Sequence, residues 1–366
     1  MKFTAEKNQI VLAILNASSV AERKSTMPIL ANMLIKTAGG VIEFTATDLE
    51  IQVKSFASVV EIQVEGEITV SARKMAELCK SLPDNEKINF FVELGKLSVR
   101  AKSFQADLST ISAADFPQLE CNEPLSTINM PKENLSKILN KTHFSMATQD
   151  HRPYLNGLLL EFKEGKISAV ATDGHRLAIS TLNLSDGKKE SSNIIPRRAV
   201  QELLKILSNA DQDIELIVGQ NFMSVNSSTF QYSSKLIEAK FPDYQKVFPV
   251  GEPSILLVNK QDLLAALNRA SVLSNEKYRG VRLCLAEQAL KLKTNNPEQE
   301  SAEEDLDVNY SGPSFEIGFN IGYLEDALQS LDSEEAELLF YGENSSCLLK
   351  ATNDELSSYV VMPMRL

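Results

Sequence analysis

The segment Ala169-Val170-Ala171-Thr172-Asp173-Gly174-His175-Arg176-Leu177 has a counterpart earlier in the chain, and that recurrence limits what the whole can fold into. Pro153 leads into Tyr154-Leu155-Asn156-Gly157-Leu158-Leu159-Leu160 and then reaches Thr172-Asp173. Pro28 leads into Ile29-Leu30-Ala31-Asn32-Met33-Leu34-Ile35 and reaches Thr47-Asp48 after the same interval. From Pro28 to Pro153 is 125 positions. A period this long marks a duplicated domain, because solenoid units are about 20 to 50 residues.

Helical patterns fall into the same register. Ile10, Val11, Ile14 and Leu15 share one face of a helix over Glu6 to Ala17. Related helices open at Pro131-Lys132-Glu133-Asn134-Leu135 and at Asn259-Lys260-Gln261-Asp262-Leu263, so Lys7, Lys132 and Lys260 hold equivalent places. A second helix recurs at Arg73 to Leu82, Arg198 to Leu207 and Gly322 to Leu331. Alternating β-type segments such as Gly40 to Ala46, Lys166 to Ala171 and Leu290 to Thr294 run between Gly, Asn and Asp turn signals. Asp115-Phe116-Pro117 and Lys240-Phe241-Pro242 close the first two copies. The third has diverged most, with Asn295-Asn296-Pro297 in place of Thr-Asp-Gly. The reading is an α+β chain of three tandem copies of one domain, over 1–122, 126–248 and 254–366. Similar units joined end to end present head-to-tail interfaces, which close into rings or run on as filaments.

The 366 residues, 43% hydrophobic and 23% charged, suffice for several cores. Met1-Lys2-Phe3-Thr4-Ala5-Glu6 enters a folded pattern at once, and there is no long apolar run, so a cytosolic protein is expected. Cys79, Cys121, Cys284 and Cys347 show no metal-ligand spacing, which points to reduced packing thiols and no metal. The net charge of −12 speaks against a nucleic-acid binder. The helical segments, however, carry a net positive charge of their own, so a surface lined by them would attract phosphates without reading sequence. Solvated helix faces explain the same pattern from charge alone. Between Glu298 and Asp307 six carboxylates occur without a basic residue: either a solubilising loop, or half of an interface whose other half holds Lys74, Lys96 and Lys102.

The start Met-Lys-Phe-Thr, the runs Met27 to Asn32, Thr47 to Glu50, Tyr154 to Gly157, Ala171 to Leu177, Phe241 to Tyr244, Leu273 to Lys277, Asn295 to Glu300 and the terminal Tyr359 to Leu366 resemble the bacterial sliding clamps, the beta subunits of DNA polymerase III. The resemblance covers the whole chain. It implies a head-to-tail homodimer closed into a ring, with twelve helices facing a channel for duplex DNA and sheets outside. It implies no catalysis and no cofactor. The clamp tethers the polymerase, making rebinding intramolecular. Implied partners are the polymerase alpha subunit, the delta subunit of the clamp loader, and other polymerases and repair proteins carrying short clamp-binding peptides. No phosphate-binding Gly-x-x-x-x-Gly-Lys-Ser/Thr loop occurs, in keeping with an ATP site on the loader. The implied place is the bacterial cytoplasm, at the nucleoid, without membrane attachment.

The family's peptide pocket maps in its first part onto Arg152, Leu155, Thr172, Gly174, His175, Arg176, Leu177, Pro242, Lys246, Val247, Val360 and Met362. Its second part maps onto Tyr154, Asn320, Tyr323, Ser346, Pro363, Met364 and Arg365. Apolar walls around a few polar groups suit a short linear peptide, and Met adapts to several. Position 246 is Lys where the family often has Arg, which exchanges a planar fork for a point charge, and position 153 is Pro where a relative has Tyr. Lys24, Arg73, Gln149, Tyr154, Arg197 and Arg198 match channel positions. Phe104, Ala106 and Leu108 alternate as an edge strand and would meet the partner's third domain beside Arg269, Val272 and Leu273, with Lys74 and Lys96 facing Glu298, Glu300 and Glu304.

Two other readings compete. An enzyme could use Asp173 with His175 or Arg176 as an acid-base pair, but Asp-Gly is first a turn signal, and the first copy has Asp48-Leu49-Glu50 without His. A peptide-binding scaffold without DNA is the other.

Overall fold

The computed structural model describes residues 1–365 apart from 23–25, 59–60, 85, 122, 185–189 and 211–212. The first copy runs β1 (Lys2–Glu6), α1 (Lys7–Ser18), β2 (Asn32–Ala38), β3 (Val41–Thr47), β4 (Ile51–Ser58), β5 (Glu61–Val64), β6 (Gly66–Ser71), α2 (Ala72–Ser81), β7 (Lys87–Glu93), β8 (Lys96–Ala101) and β9 (Phe104–Ile111). The second runs β10 (Ser126–Pro131), α3 (Lys132–Asn140), β11 (Gly157–Lys163), β12 (Lys166–Thr172), β13 (Arg176–Asn183), β14 (Ser191–Pro196), α4 (Arg197–Leu207), β15 (Asp213–Val218), β16 (Phe222–Asn226) and β17 (Phe230–Lys235). The third runs β18 (Ser254–Asn259), α5 (Lys260–Ser271), β19 (Gly280–Ala286), β20 (Ala289–Asn295), β21 (Ser301–Asp307), β22 (Asn309–Tyr310), β23 (Phe315–Asn320), α6 (Ile321–Gln329), β24 (Glu335–Phe340), β25 (Cys347–Ala351) and β26 (Asp354–Val361). Helices therefore stand where the periodicity placed them. The acidic run, in contrast, is not a loop, because most of it is strand β21.

Helix starts are chemically marked. Ser71 accepts from the Lys74 amide, Asn259 from those of Gln261 and Asp262, and Asn320 from that of Tyr323. The equivalent lysines are each the first residue of a helix. Lys7 donates its Nζ to the Leu82 carbonyl, Lys132 to that of Ala210 at 2.8 Å and Lys260 to that of Leu331 at 2.9 Å. Those carbonyls lie just past the second helix of each copy, where the dipole favours a cation. The recurring lysine is thus a brace between paired helices, and its ammonium is not offered to a phosphate.

The Thr-Asp recurrence is also structural. Thr47 Oγ1 donates to the Ile51 carbonyl, while Asp48 Oδ1 accepts from the Glu50 and Ile51 amides. Thr172 and Asp173 do the same with Arg176, His175 and Arg176 in turn. The residue between them takes a left-handed φ, +76° at Leu49 and +90° at Gly174, so the pair builds one tight turn twice. Of the four cysteines, Cys79 and Cys347 are buried; burial pushes the Cys79 thiol up to about 12. Cys121 is exposed, and the packing reading fails there.

The chain forms two compact units, residues 1–135 with 201–236, and residues 136–200 with 237–366. The first holds a 13-stranded antiparallel sheet in the order β10-β15-β16-β17-β4-β3-β2-β6-β9-β8-β7-β1-β5. The second holds a nine-stranded sheet, β14-β11-β12-β13-β26-β25-β24-β18-β22, and a four-stranded one, β21-β20-β19-β23. Each large sheet joins strands of two copies. At one joint Tyr232 faces Val53 and Phe230 faces Ser55. At the other Tyr359 faces Ala178 and Ser357 faces Ser180.

In the second unit Lys141, just past α3, is 6% exposed at its side chain and reaches Asp332 at 2.7 Å and Asp354 at 2.6 Å. Hydrogen bonding to Lys141 holds the Asp332 carboxyl below the usual range. Burial pushes Asp354 up, but hydrogen bonds from Lys141, Ser357 and the Leu356 amide outweigh it. Lys141→Met strands Asp354 without its cation and should cost about 2 kcal/mol in urea unfolding at pH 7. Because both folded carboxyls titrate below their unfolded values of about 4, their contribution is complete above that pH and fades as pH falls through the depressed values. The variant should show a flatter loss of stability between pH 5 and 2.

Candidate functional site

The pocket residues anticipated from the resemblance all fall in the second unit, and the structure shows how many of them are brought together. Leu177 and Val360 face each other across the β13–β26 joint and lie in one apolar cluster with Leu159, Val170, Ile194, Phe241, Leu339 and Leu348. Tyr154, Val247, Tyr244 and Phe248 pack on its edge. Tyr154 meets Phe241 edge to face at 6.4 Å between ring centroids. Leu177 and Val360 are closed to solvent at 1% and 0%, so they form the floor of this cluster, and Leu155 beside Tyr154 is buried as well at 2%. A ligand would touch the half-buried Tyr154 and Val247 and the exposed Met362, His175, Pro242 and Lys246.

The Thr172–Arg176 turn forms one wall. Arg152 lies over it, with its Nη2 3.3 Å from where a Cβ on Gly174 would stand, so a side chain at 174 would meet both that guanidinium and the left-handed backbone. Asp150 aims Arg152 through three hydrogen bonds of 2.8 to 3.0 Å, and the Arg152 guanidinium holds that carboxyl well below the usual range. Asn156 fixes Asp150 in turn, accepting from its amide at 2.9 Å and donating to its carbonyl at 2.7 Å.

Arg176 is held more completely. Its Nε donates to Asp173 Oδ2 at 3.1 Å, Nη1 to Asp326 Oδ2, and Nη2 to the Phe144 carbonyl at 2.8 Å. The guanidinium also lies over the Tyr323 ring at 4.6 Å and the Phe144 ring at 5.4 Å. At 11% exposure this arginine is a positioning residue, ordering the turn and the Tyr323 ring, and not a free donor. His175 stacks on Tyr323 at 6.4 Å from the outside. With Asp173 occupied by two amides and Arg176, the acid-base pair considered for this motif has no free carboxylate.

The chain after β26 is fastened by two amides, Met362 donating to His175 at 2.9 Å and Met364 to Gly318 at 2.8 Å. Pro363, lacking an amide, lies between them. Asn320 caps α6 and donates to the Tyr278 carbonyl at 3.0 Å. Lys246 is exposed and pairs with Asp243 at 3.2 Å, and Ser346 is half-buried near the start of β25. Sequence reasoning did not single out Phe144, Asp150, Asn156 or Asp326. Their roles depend on contacts such as the one across 150 positions between Arg176 and Asp326, for which local sequence holds no signal.

The other anticipated positions are surface groups. Arg73 is exposed beside Glu77 at 3.9 Å. Gln149 is exposed with φ +57°. Arg198 is exposed, and Arg197 donates to the Met146 carbonyl at 2.6 Å. Lys24 lies outside the described residues. Phe104 is 39% exposed on β9 and Val272 77% exposed just past α5. Arg269 and Glu304 form a two-pronged ion pair within the protomer, which holds the Glu304 carboxyl low.

Three family models describing the DNA polymerase III beta subunit match the chain: the N-terminal domain over residues 1–120, the central domain over 129–243 and the C-terminal domain over 245–365. The beta sliding clamp of Pseudomonas putida is 40% identical over 367 residues, covering all of both chains, and that of Escherichia coli K12 is 38% identical over 366. Among solved structures, the sliding clamp of Pseudomonas aeruginosa bound to griselimycin superposes with a TM-score of 0.97 at 39% identity, and that of Caulobacter crescentus with 0.94 at 32%, each over the full length of both chains.

Arg176→Ala removes three hydrogen bonds from a nearly buried cation and leaves Asp173 without its Nε donor. It should lower the unfolding free energy by about 3 kcal/mol in denaturant titration. Arg176→Lys should recover only a small part of that, since an ammonium cannot span Asp173, Asp326 and the Phe144 carbonyl at once.

Proposed function

The chain belongs to the DNA polymerase III beta subunit family, the bacterial sliding clamps, and from that premise we propose that two copies close head to tail into a ring around duplex DNA. The clamp role in replication processivity follows from the family. It asks for enclosure and tethering and no chemistry. The division into domains at 1–122, 126–248 and 254–366 is part of the same reading.

The observation that carries the ring is a pair of strand edges. In sheet order, β17 and β26 are each joined to the fourth strand of another copy, β4 and β13. Their counterpart in the first copy is β9, which pairs along its length with β8 but with β6 only at Thr110 and Ile111. The counterpart of β4 and β13 in the third copy is β21, which ends its sheet beside β20. Phe230 is 1% exposed at its joint, whereas Phe104 at the same place on β9 is 39% exposed. Edges of this kind invite pairing with another chain. Repeating the two existing joints between protomers sets Phe104 opposite Glu304, Ala106 opposite Ala302 and Leu108 opposite Glu300. Lys96, which faces Ser109, then comes within one strand of Glu300, with Lys74 and Glu298 at the margin of the same joint. The exposed Val272 and the half-buried Leu273 would close over it.

The apolar floor beneath Tyr154, Val247 and Met362 supports docking of a short peptide, and we assign to it the polymerase alpha subunit, the loader's delta subunit and other DNA-processing proteins in turn. The channel assignment rests on Arg73, Gln149, Tyr154, Arg197 and Arg198, with Lys24. The work place is then chromosomal DNA in the bacterial cytoplasm. In the described residues no helix is long and apolar enough to cross a membrane.

The decisive measurement is retention on a nicked circular plasmid after loading with the cognate loader and ATP. The protein should stay on the circle and leave once a restriction enzyme cuts it; retention after cutting would mean direct grip and overturn enclosure. Val272→Ala with Leu273→Ala should weaken the dimer, by about 2 kcal/mol for each buried side chain truncated, and an unchanged dimer at nanomolar concentration in sedimentation would remove these residues from the interface. A chain ending at residue 361 should remain dimeric and lose loader and polymerase binding.

A further inference from the structure

Each copy, at the end of its last strand or just past it, sets backbone against β6, β14 or β23, the strand of its sheet that leads into its second helix. Ile111 faces Thr69, the Ile237 amide donates to Ile194 at 2.8 Å, and the Met364 amide donates to Gly318 at 2.8 Å. In the first two copies the chain then crosses the outer face of that sheet. Phe116 packs there with Ile29, Leu30 and Leu34, and Phe241 with Leu159, Val170 and Ile194.

The strand registers give the corresponding ground in the third copy. Leu34 faces Thr45 and Thr45 faces Lys54; Leu159 faces Val170 and Val170 faces Ile179. In the third copy that row reads Arg282, Lys293, Glu303. All three rows are anchored alike, because Leu34, Leu159 and Arg282 face Thr69, Ile194 and Gly318 on β6, β14 and β23. Here the sheet carries a cleft of about 630 Å³ lined by Arg282, Lys293, Glu303, Asn296, Met364 and Arg365 among others. In the first two copies an extended stretch of chain lies on this ground.

Its chemistry differs sharply from the apolar ground of the second copy. Three cations face one carboxylate, in a chain of net charge −12. Among the described residues Arg365 makes no ion pair. Arg282 meets Glu316 at 3.2 Å and Lys293 meets Glu303 at 4.0 Å, both in half-exposed pairs that an incoming carboxylate can exchange at little cost. Met364 and Arg365 belong at once to this cleft and to the peptide groove assigned above, so the two are continuous. Val281, Leu283 and Leu292, which alternate with Arg282 and Lys293, lie in the core with Leu263 and Leu267 of α5. The cleft is therefore on the face of the sheet turned away from the helices assigned to the channel, which favours a peptide over nucleic acid.

We propose that this cleft receives an extended acidic segment flanking the apolar anchor of a partner's clamp-binding peptide. The proposal rests on the peptide groove of the preceding section, and its test separates the two. The probes are three fluorescein-labelled peptides, Gly-Ser-Leu-Leu-Phe-Gly and the same sequence with Asp-Glu-Asp added at its amino or its carboxyl end, titrated with the full-length protein by fluorescence anisotropy at about 50 mM salt, where screening is weak.

One acidic peptide should bind at least about threefold more tightly than the neutral one, a gain that added salt removes. Arg282→Glu with Lys293→Glu should abolish the gain and leave the neutral peptide's affinity unchanged. Arg282→Ala with Lys293→Ala, which introduces no repulsion, should also abolish it. Equal affinity for acidic and neutral peptides overturns the cleft and leaves the groove standing. Failure of the neutral peptide to bind overturns the groove and the cleft with it. If the acidic peptides gain nothing while (dT)20 binds and is released by the same substitutions, the cleft belongs to nucleic acid and the peptide assignment is wrong.

Discussion

A strand at the rim of a sheet leaves every second amide and carbonyl turned outward, and those groups have to meet water or another strand. Most of what this chain does with its three copies follows from that requirement. Two copies' last strands are satisfied by the fourth strand of another copy, at Tyr232 with Val53 and at Tyr359 with Ala178. The two joints are built alike, with the aromatic ring turned into the interior and the facing residue small. Strand β9 has Phe104, Ala106 and Leu108 on the same face and, among the described residues, no such neighbour before its short pairing with β6, and β21 offers Ala302 in the small position. One unsatisfied strand at each end of the series is what a head-to-tail assembly needs, and the acidity of β21 selects what can pair with it.

Within this frame, equivalent positions serve as brace, wall or open surface according to what surrounds them. The Thr-Asp turn is the same in two copies, yet only in the second does it lead into Arg176, whose three side-chain hydrogen bonds tie Asp173, Asp326 and the Phe144 carbonyl into one rigid wall. The lysine at the head of each first helix does one job three times, satisfying a carbonyl beyond the second helix. The equivalent sheet face is covered by Phe116 in one copy, packs apolar residues against Phe241 in the next, and is charged at Arg282 and Lys293 in the last. A duplicated fold thereby yields surfaces of different chemistry without altering the strands beneath them.

The sequence was most legible where structure is local. Periodicity located the six α-helices of the described residues within a residue or two, and the repeat of Pro28 at Pro153 marked the same short 3-10 turn twice. Charge was read less well. The lysines at 7, 132 and 260 hold equivalent places in sequence, and only their Nζ hydrogen bonds show the use that equivalence serves. The run from Glu298 to Asp307 suits a solvated loop by composition, since acidic residues are poor strand formers. It is a strand because β20 supplies a partner ladder and Lys291 and Lys293 offset alternate carboxylates.

The sequence by itself determined the threefold repetition, the helix and strand alternation within each copy, the tight turns at Thr47-Asp48 and Thr172-Asp173, and the family resemblance with the clamp role it implies. These rest on spacing and on short-range hydrogen bonding, which a chain carries wherever it goes. Only the tertiary structure decided that the Arg176 guanidinium is taken up by Asp173, Asp326 and the Phe144 carbonyl, that Leu155, Leu177 and Val360 are buried while Met362 and His175 are exposed, that among the described residues β21 and most of β9 have a neighbouring strand on one side alone, and that the third copy holds a cationic cleft where the others hold an aromatic ring. Those outcomes depend on which strands meet and in what register, and a register pairs residues a hundred or more positions apart whose side chains have no means of marking one another in advance.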